Sequence, residues 1–546
     1  MALSKSEEQD YKLIGDAFAR QSRYHAKWLR NDRYYHARYS EKQWNKLKKT
    51  KRSKLFIPVI RNIINITKSI FTTSFFSAGC PIEITYIGDS DKDKANVATT
   101  VVKYWYDKDK PYKKLARSFW SALTMGLGIV ISYWDNDRIR TQDIFIKDIA
   151  FDYEATDIDD VQYLAYRFYE SGNTIMDKID RKFYKIKKKD FFGNNPEEKF
   201  SKRYKIEELI KRKGKKWSCR TFCDGKLMRE TVFERNPFQY GYAIDEYKYQ
   251  DIDLQKDQIL VYGGTLVWML KEIQDEINIK RNQKNDIQEE KINPTYFVGD
   301  GIKLNPFDLK KGPGSAIKFS GKITGDNFQQ RQTPSEVSLD NDLAVLTKQD
   351  LEDSSGVNGI MRGGTSASDR RSAASLSIIN ANSSPRIEDM ILLISDTLFH
   401  HWAKNFVYLA IKHTTDDLIH KLTERNDFPL GKYGKRELDD FNLSIKFGSS
   451  INKDAKINDL LSIVQMFLQN RDPNNLDETR FINEVTKQIV TLKLGENTKL
   501  FDMLSPTPQP PTNPGENPNE SAEKPAEEGI DPQEEREKML LAAGSA

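Results

Sequence analysis

The clearest periodic pattern of apolar and polar positions lies in the middle of the chain. From Gly263 the sequence GGTLVWMLKEIQDEINIKRNQKNDIQEE places Leu266, Leu270, Ile273 and Ile277 at helical spacing. Beyond Ile277 the helical pattern continues, but it is polar on every side. A helix that is polar all round needs neighbours or water. We therefore expect this half to pack against copies of the same chain.

The segments that follow this helix alternate in type. Residues 292–333 read as short β segments separated by turns that contain Pro and Gly. A second helical pattern covers 334–354, and a Gly-rich stretch covers 355–371. A long helical region starts near Ser372, and Pro385 is expected to kink or divide it. The predicted plan is helix, small β insert, helix, Gly-rich loop and long helix.

The rest of the chain also mixes helices and strands. A hairpin is predicted around Asp224-Gly225, since two alternating runs flank this turn sequence. Residues 501–546 are Pro- and Glu-rich, and this composition predicts disorder. The remaining helices are expected at about 11–54, 55–77, 94–106, 112–125, 453–469 and 477–492, and the remaining strands at 82–86, 129–134, within 139–171 and at 443–447.

Two regions combine many basic residues. Residues 11–54 interleave Lys and Arg with Trp28, Tyr34 and other aromatics, a composition that can bind single-stranded nucleic acid. We favour the alternative that the aromatics are buried while the charges face solvent, because a helix separates its faces. Residues 178–216 carry blocks of like charge, which are usually solvated and mobile. Contact with DNA phosphates or an acidic partner is the open alternative there.

The order and spacing of the central segments resemble the stem, clip and tunnel-loop region of the portal proteins of tailed bacteriophages. The resemblance extends from about Trp28 to about Leu494. Its central features are the helix GGTL…IQDEIN, Asn293-Pro294, Tyr296-Phe297-Val298, Asn305-Pro306, Gly312-Pro313-Gly314, Ser355-Gly356-Val357 and Arg362-Gly363-Gly364.

This resemblance implies an α+β, mostly helical subunit that assembles into a ring. The expected parts are a wing (1–262), stem helix 1 (263–291), a clip (292–333), stem helix 2 (334–354), a tunnel loop (355–371), a wing helix and strand (372–450), crown helices (451–500) and a disordered tail (501–546).

The resemblance also implies positions for functional residues. The tunnel loop would bring Met361, Arg362, Arg370 and Arg371 close to DNA. The stem would turn Lys280, Arg281 and Lys284 towards the channel. The clip would dock partner proteins through Tyr296, Phe307, Lys310 and Lys311.

The implied function is that of a portal protein. A ring, expected to be a dodecamer, would stand at one capsid vertex as the conduit for double-stranded DNA during packaging and ejection, without sequence preference. Its partners would be the terminase large subunit, the major capsid or scaffolding protein and a head-to-tail adaptor. It would be made in the host cytoplasm and reside in the virion. We expect Glu276→Lys or Ile277→Asp to disrupt the ring by placing charge in a subunit contact.

Charge, cysteine content and targeting signals are weighed against the classes of protein that remain, a structural assembly protein or a nucleic-acid-binding protein. The net charge of +5 over 546 residues does not discriminate between them. Cys80, Cys219 and Cys223 do not form a disulfide framework or a zinc motif, which fits a reducing cytoplasm. We expect no signal peptide and no membrane span.

Catalytic chemistry is not indicated by any pattern in the sequence. The chain lacks a phosphate-binding loop, a zinc-protease motif and a nucleophile elbow. We therefore expect no enzyme activity, no cofactor and no metal. The alternative that remains is a nucleic-acid-binding protein or metal-dependent nuclease that uses the basic aromatic N-terminus.

Overall fold

The structure, a computed structural model, combines helices and strands in an α+β arrangement. It forms two compact units, Met1–Asp454 and Ala455–Ala546. The residues described are 3–50, 52–77, 79–86, 91–135, 137–155, 157–192, 200–245, 261–292, 296–298, 303–304, 319–320, 328–330, 349–357, 385–425, 427–436, 443–447, 460–466, 482, 485–486 and 489.

Among the described residues of the first unit, more lie in helices than in strands. A π-helical turn, Ser395–Phe399, joins α10 to α11, and residues 349–355 are also helical. The numbered helices are α1 (Lys5–Gln21), α2 (His25–Tyr35), α3 (Glu41–Lys48), α4 (Val59–Phe76), α5 (Lys92–Asp109), α6 (Tyr112–Met125), α7 (Gly172–Asp180), α8 (Lys188–Phe192), α9 (Leu266–Ile292), α10 (Pro385–Ile394), α11 (His400–His413) and α12 (Asp416–Thr423).

The strands pair in antiparallel fashion. A five-stranded sheet has the order β4-β5-β6-β7-β8, a three-stranded sheet has β3-β2-β9, and the pairs are β1-β14, β10-β13 and β11-β12. The strands are β1 (Ile82–Tyr86), β2 (Gly128–Asp135), β3 (Arg138–Asp143), β4 (Ile149–Phe151), β5 (Tyr163–Ser171), β6 (Arg203–Lys213), β7 (Lys216–Cys223), β8 (Lys226–Phe233), β9 (Phe238–Gly241), β10 (Tyr296–Val298), β11 (Lys303–Leu304), β12 (Phe319–Ser320), β13 (Phe328–Gln330) and β14 (Leu443–Phe447).

The largest core lies among the helices, and Phe71 of α4 illustrates how it is built. The Phe71 ring centroid is 4.3 Å from that of Phe119 on α6 and 5.1 Å from that of Phe399 in the π-helical turn. The first turn of α9 enters the same core through Leu266 and Leu270. Burying such large apolar side chains is the dominant stabilising contribution in a core. The core therefore fixes the starting point of α9.

The five-stranded sheet carries two apolar faces. Leu209 packs with α1 on one face, and the adjacent Ile210 packs in a second cluster on the other face. Such alternation is the period of two that a strand imposes. The predicted hairpin at Asp224-Gly225 is confirmed as the β7–β8 turn, and both of its residues have positive φ.

The backbone contact between Gly126 and Gly263 sets where α9 begins. The Gly263 N–H donates to the Gly126 carbonyl at 2.9 Å. Gly126 has a φ of +91°, and a Cβ there would lie 2.5 Å from the Gly263 oxygen. The Gly126-Leu127-Gly128 turn is therefore a packing point between a helix and a strand.

We expect Gly126→Ala to lower the free energy of unfolding by at least about 2 kcal/mol, because it adds both positive-φ strain and a backbone clash. Thermal unfolding followed by circular dichroism measures this. The matched control is Gly15→Ala in α1, where nothing lies within 4 Å of the added Cβ. Equal unfolding midpoints for the two variants would contradict the structural role of Gly126.

The second unit is described at a few positions only. Residues 460–466 are helical, and Val464, Val485 and Ile489 are buried together. The helix predicted at 453–469 is confirmed over 460–466. The predicted tail, 501–546, lies outside the described residues.

Most of the predicted elements of the first unit are confirmed, with one informative exception. The helix predicted to run through residue 54 ends earlier, since α3 stops at Lys48 and residues 52–58 are not helical. A helical α10 begins at Pro385, the position predicted as a kink. The long helix ends at His413 as predicted. Of the predicted second stem helix, 334–354, the described part is 349–354, and this part is helical.

Candidate functional site

Helix α9 is the candidate functional element. Its 27 residues give a length of about 40 Å. Leu266, Val267 and Leu270 are buried in its first two turns. Beyond Asn278 every residue of α9 is exposed or half-buried, so this part is held by polar contacts rather than by a core.

A segment from the N-terminal region runs along this polar half. We call residues 52–58 the strap. Four side chains on α9 accept hydrogen bonds from the backbone of the strap and the start of α4, and we call them the ladder: Gln274, Asn278, Asn282 and Asp286. The bonds are Ser53 N to Asp286 Oδ1 at 2.6 Å, Leu55 N to Asn282 Oδ1 at 2.7 Å, Ile57 N to Asn278 Oδ1 at 2.9 Å and Val59 N to Gln274 Oε1 at 3.1 Å.

The regular spacing of the ladder explains why one helix can bind an extended chain in this way. Ladder residues recur every four positions, which is about 6.0 Å along a helix. The bonded N–H groups recur every two residues of the strap, which is about 6.6 Å in an extended chain. The two repeats nearly match over three steps. The ladder therefore pairs with the strap backbone much as a neighbouring strand would.

Gln274 also caps a second helix. Its Oε1 accepts from Ile60 N at 3.2 Å as well as from Val59 N, and both donors belong to the first turn of α4. Pro58 precedes that turn and supplies no capping side chain. The first N–H groups of a helix need outside partners. Gln274, which is fully buried, provides them from about 215 residues away in sequence.

The outer side of α2 adds a further contact to α9. The Tyr34 hydroxyl donates to Asp275 Oδ2 at 2.6 Å. Burial raises the pKa of the Asp275 carboxyl, and the Tyr34 hydrogen bond opposes that rise. The Asn282 Nδ2 and Tyr39 hydroxyl groups both donate to the Leu55 carbonyl. Together these bonds tie α2, the strap and α9 into one unit.

One face of α9 is exposed along more than half its length. We call it the outer face, and it consists of Trp268, Met269, Glu272, Glu276, Ile279 and Gln283. These residues fall on one side because they recur at helical spacing. The exposed fractions of Trp268, Met269 and Ile279 are 44%, 41% and 55%. Three large apolar side chains aligned on one face are unusual for a surface that meets only water.

The outer face carries opposite charges along its two edges. On the edge nearer α2, three cations lie within 6 Å of the Trp268 ring centroid: Lys271 at 4.0 Å, Arg30 at 5.0 Å and Lys27 at 5.8 Å. Glu276 lies on the other edge, and Glu272 lies between them in an ion pair with Lys271. An exposed pair of this kind contributes little to stability. The face therefore has both apolar and charged groups to offer a partner.

The predicted channel-facing residues are all on α9. Lys280 and Lys284 are half-buried neighbours one turn apart, on the side of the helix opposite the ladder. Arg281 is exposed. Ile277, predicted to lie in a subunit contact, is half-buried and points away from the outer face. Ile277→Asp would therefore probe packing within the subunit.

Most of the other predicted site residues lie outside the part of the chain that the structure describes. Tyr296 opens β10, which pairs with β13 through Tyr296 and Gln330. Phe307, Lys310 and Lys311 of the clip lie outside the described residues. The same holds for Met361, Arg362, Arg370 and Arg371 of the tunnel loop.

The basic aromatic N-terminus is built mainly into the fold. Trp28 is 1% exposed, and its Nε1 donates to the Met125 carbonyl at 3.1 Å. Tyr34 and Tyr35 pack against the main core. Trp44 is the exception, with 39% of its surface exposed. The expectation that these aromatics are mostly buried is confirmed for Trp28, and a stacking platform for nucleic acid bases is not favoured there.

A cavity of about 310 Å³ lies between α11 and the strands β7 and β9. His401 and Lys404 line it from α11, and Asp159 and Glu234 line it from the segments just before β5 and just after β8. Burial lowers the pKa of His401, and Glu234 is engaged by Lys412 Nζ at 2.6 Å. Thr397 lines the cavity four residues before His401, and its hydroxyl donates to the Leu393 carbonyl at 2.8 Å, so it is engaged by the backbone.

The cysteines of β7 and the acidic residues of the described chain are the remaining candidates for chemistry. Cys219 and Cys223 are buried on β7, and burial raises the pKa of Cys223 to about 12. Buried neutral thiols of this kind are poor nucleophiles. Across the described ranges, no group of three or more His, Cys, Asp or Glu side chains could hold a metal ion. No described helix is long and apolar enough to cross a membrane.

The ladder was not anticipated as a unit, although its residues were visible as polar positions of the helix. Its signal was the recurrence of Gln, Asn, Asn and Asp at intervals of four. The partner of that row was hidden, since the strap lies more than 200 residues earlier in the chain. Any function must be argued from these residues of the chain itself. Neither the models of known protein families nor the curated proteins with which the chain was compared give a match.

Proposed function

We propose that this chain is a portal subunit, and that copies of it form a ring around a channel for double-stranded DNA. The observation that carries the proposal is the outer face of α9, where Trp268, Met269 and Ile279 are exposed on a 27-residue helix. Side-by-side packing of such helices around an axis would bury these residues. It would also bring the cations beside Trp268 towards Glu276 of the next copy.

The ladder and strap support the proposal that α9 is a stiff helix within each subunit of the ring. A long, polar half-helix would fray alone, because helices of this kind gain most stability from packing. The strap supplies that packing from within the subunit while leaving the outer face open. In a ring, one side of each α9 would then be held by its own strap and another would be available to a neighbour.

The side of α9 opposite the ladder supports a channel role. Lys280, Lys284 and Lys291 fall on that side, with Glu290 close by in sequence. A channel wall of mixed charge attracts a polyanion without gripping it, since sliding requires weak and repeated contacts. By resemblance, the clip would dock the terminase large subunit and a head-to-tail adaptor. The wing would meet the major capsid or scaffolding protein at the vertex of the virion.

The experiment that tests the proposal is the mass of the purified full chain. Native mass spectrometry with negative-stain images of the same sample should give a ring of about a dozen subunits around a central hole, because heterologous contacts that close form rings. A monomer or dimer at every salt and protein concentration would overturn the proposal. It would return attention to a nucleic-acid-binding protein or metal-dependent nuclease.

A further inference from the structure

A dense block of positive charge follows α7, the helix that comes directly after β5 of the five-stranded sheet. Six of the nine residues in Arg181–Lys189 are Lys or Arg, and none is Asp or Glu. We call this block the cationic lobe. A block of like charge is ordinarily solvated and mobile, but here it is seated on a small core of its own.

Aromatic and backbone contacts hold the cationic lobe in place. Tyr184 is 2% exposed, and its hydroxyl donates to Glu170 Oε2 at 3.0 Å. The Lys185 N–H donates to the Met228 carbonyl at 2.8 Å, which ties the lobe to β8. Phe192, just beyond the lobe, is buried in the same cluster as Tyr184. The entropy cost of ordering the lobe is thus met within the fold.

The same contacts turn the cations outward. Tyr184 and Ile186 face the small core, whereas Lys185 and Lys187 between and beyond them are exposed. Such alternation is that of an extended segment. In this block the described residues show one ion pair, Lys188 Nζ to Asp180 Oδ1 at 2.5 Å. Most of the charge is therefore offered to a partner.

One exposed aromatic ring stands inside the lobe, and cations cover it. The exposed fraction of Phe183 is 42%, with the Arg229 guanidinium 3.8 Å from its centroid and Lys178 Nζ 5.3 Å away. Protein interfaces usually centre on an aromatic or apolar anchor that enters a pocket. The Arg229 guanidinium over its ring makes Phe183 part of the positive surface of the lobe.

We propose that the cationic lobe binds the phosphate backbone of double-stranded nucleic acid without reading its sequence. A held row of exposed lysines suits repeated phosphates. Lysine contacts to phosphate position a protein on a duplex without reading its sequence, and the lobe has no Asn or Gln, the side chains that pair with adenine. This surface is distinct from the residues assigned to the channel, and its binding does not require a ring.

The test compares two triple variants of the full chain. Lys185→Gln/Lys187→Gln/Lys189→Gln removes three exposed charges from the lobe. Lys213→Gln/Lys215→Gln/Lys216→Gln removes three exposed charges from the β6–β7 turn and is the matched control. Binding of a fluorescein-labelled 30-base-pair duplex is followed by anisotropy from about 50 to 300 mM NaCl.

The lobe variant should bind more than about tenfold more weakly at about 100 mM NaCl. Its plot of log K against log salt should be shallower by about 2 to 3, as three lost phosphate contacts require. The control should match the unmodified protein within about twofold. Native mass spectra of all three should show one oligomeric state, which separates this proposal from the proposed ring.

Three results would overturn the proposal. The lobe variant could keep the original affinity and salt slope, or both variants could lose affinity equally, which would indicate net charge rather than a site. Poly-L-glutamate could displace the duplex from the unmodified protein as well as unlabelled duplex does at equal charge. That outcome would identify the lobe as a surface for an acidic polypeptide.

Discussion

Gln274→Leu is expected to release the strap and fray the start of α4. The substitution leaves the Ile60 N–H without its acceptor in a site where Gln274 is fully buried, whereas the Val59 N–H keeps its bond to the Ile57 carbonyl at 2.9 Å. Each buried donor left unsatisfied costs about 1–3 kcal/mol, and loss of a helix cap costs about 0.5–2 kcal/mol. We expect the free energy of unfolding to fall by about 2 kcal/mol.

Hydrogen exchange measured by mass spectrometry reads this effect locally. Peptides covering residues 53–66 should lose protection, because their amides are held by the ladder or by the α4 hydrogen bonds that Gln274 begins. Peptides from the β5–β6 region should be unchanged, since no ladder bond reaches them. A urea midpoint shift reports the accompanying loss of stability.

The control for this variant is Gln288→Leu on the same helix. Gln288 is exposed and outside the ladder, so the same chemical change there should leave exchange of 53–66 as it was. Unaltered protection of Ile60 in the Gln274 variant would mean that another group caps α4. It would also remove the argument that the ladder stiffens α9.

Local patterns predicted the parts of the fold that are decided locally. The start of α4 was placed at Pro58, and β1, α6 and the Asp224-Gly225 hairpin were placed within a residue or two of their bounds. In these segments the apolar periodicity and the turn residues agree with the final packing. Such agreement between local preference and global fold is what makes an element predictable.

The strap shows where local reasoning stops. Residues 49–54 are rich in Lys and Arg, good helix formers, so a helix was expected to continue through them. Ile57 stands before Pro58, which disfavours helical geometry, and this signal was available. The deciding contacts come from α9, and nothing in residues 49–58 reveals them. Tertiary partners overrode propensity.

The partner of the polar half of α9 was also only partly predictable from the sequence. Its composition correctly indicated that it could not stand alone, but neighbouring copies were the only partner considered. The structure supplies the strap as one partner and leaves the outer face for another. The row Gln274, Asn278, Asn282 and Asp286 was visible as a polar stripe, but three amides and a carboxylate do not identify the partner that they bind. The sequence therefore predicted the helix that carries the candidate site, but it did not predict that four of its side chains bind the strap.

Ile279→Asp is expected to abolish ring formation while leaving the subunit folded. The exposed fraction of Ile279 is 55%, so the substitution costs little within one chain. In the proposed ring the side chain would be buried between neighbouring α9 helices, where an unpaired carboxylate costs several kcal/mol. A penalty of about 3 kcal/mol at each contact weakens each by more than about a hundredfold. The contact recurs at every subunit, so closure of the ring should fail.

Native mass spectrometry and sedimentation velocity at matched concentration measure this loss. Glu276→Lys should act in the same direction, since Glu276 is exposed on the same face. The matched control is Gln288→Asp, which introduces the same new charge on another side of α9 and should leave rings intact. Circular dichroism should be the same for all variants. Rings of normal mass from Ile279→Asp would show that the outer face is not the subunit contact, and α9 would then need another partner for its exposed apolar side chains.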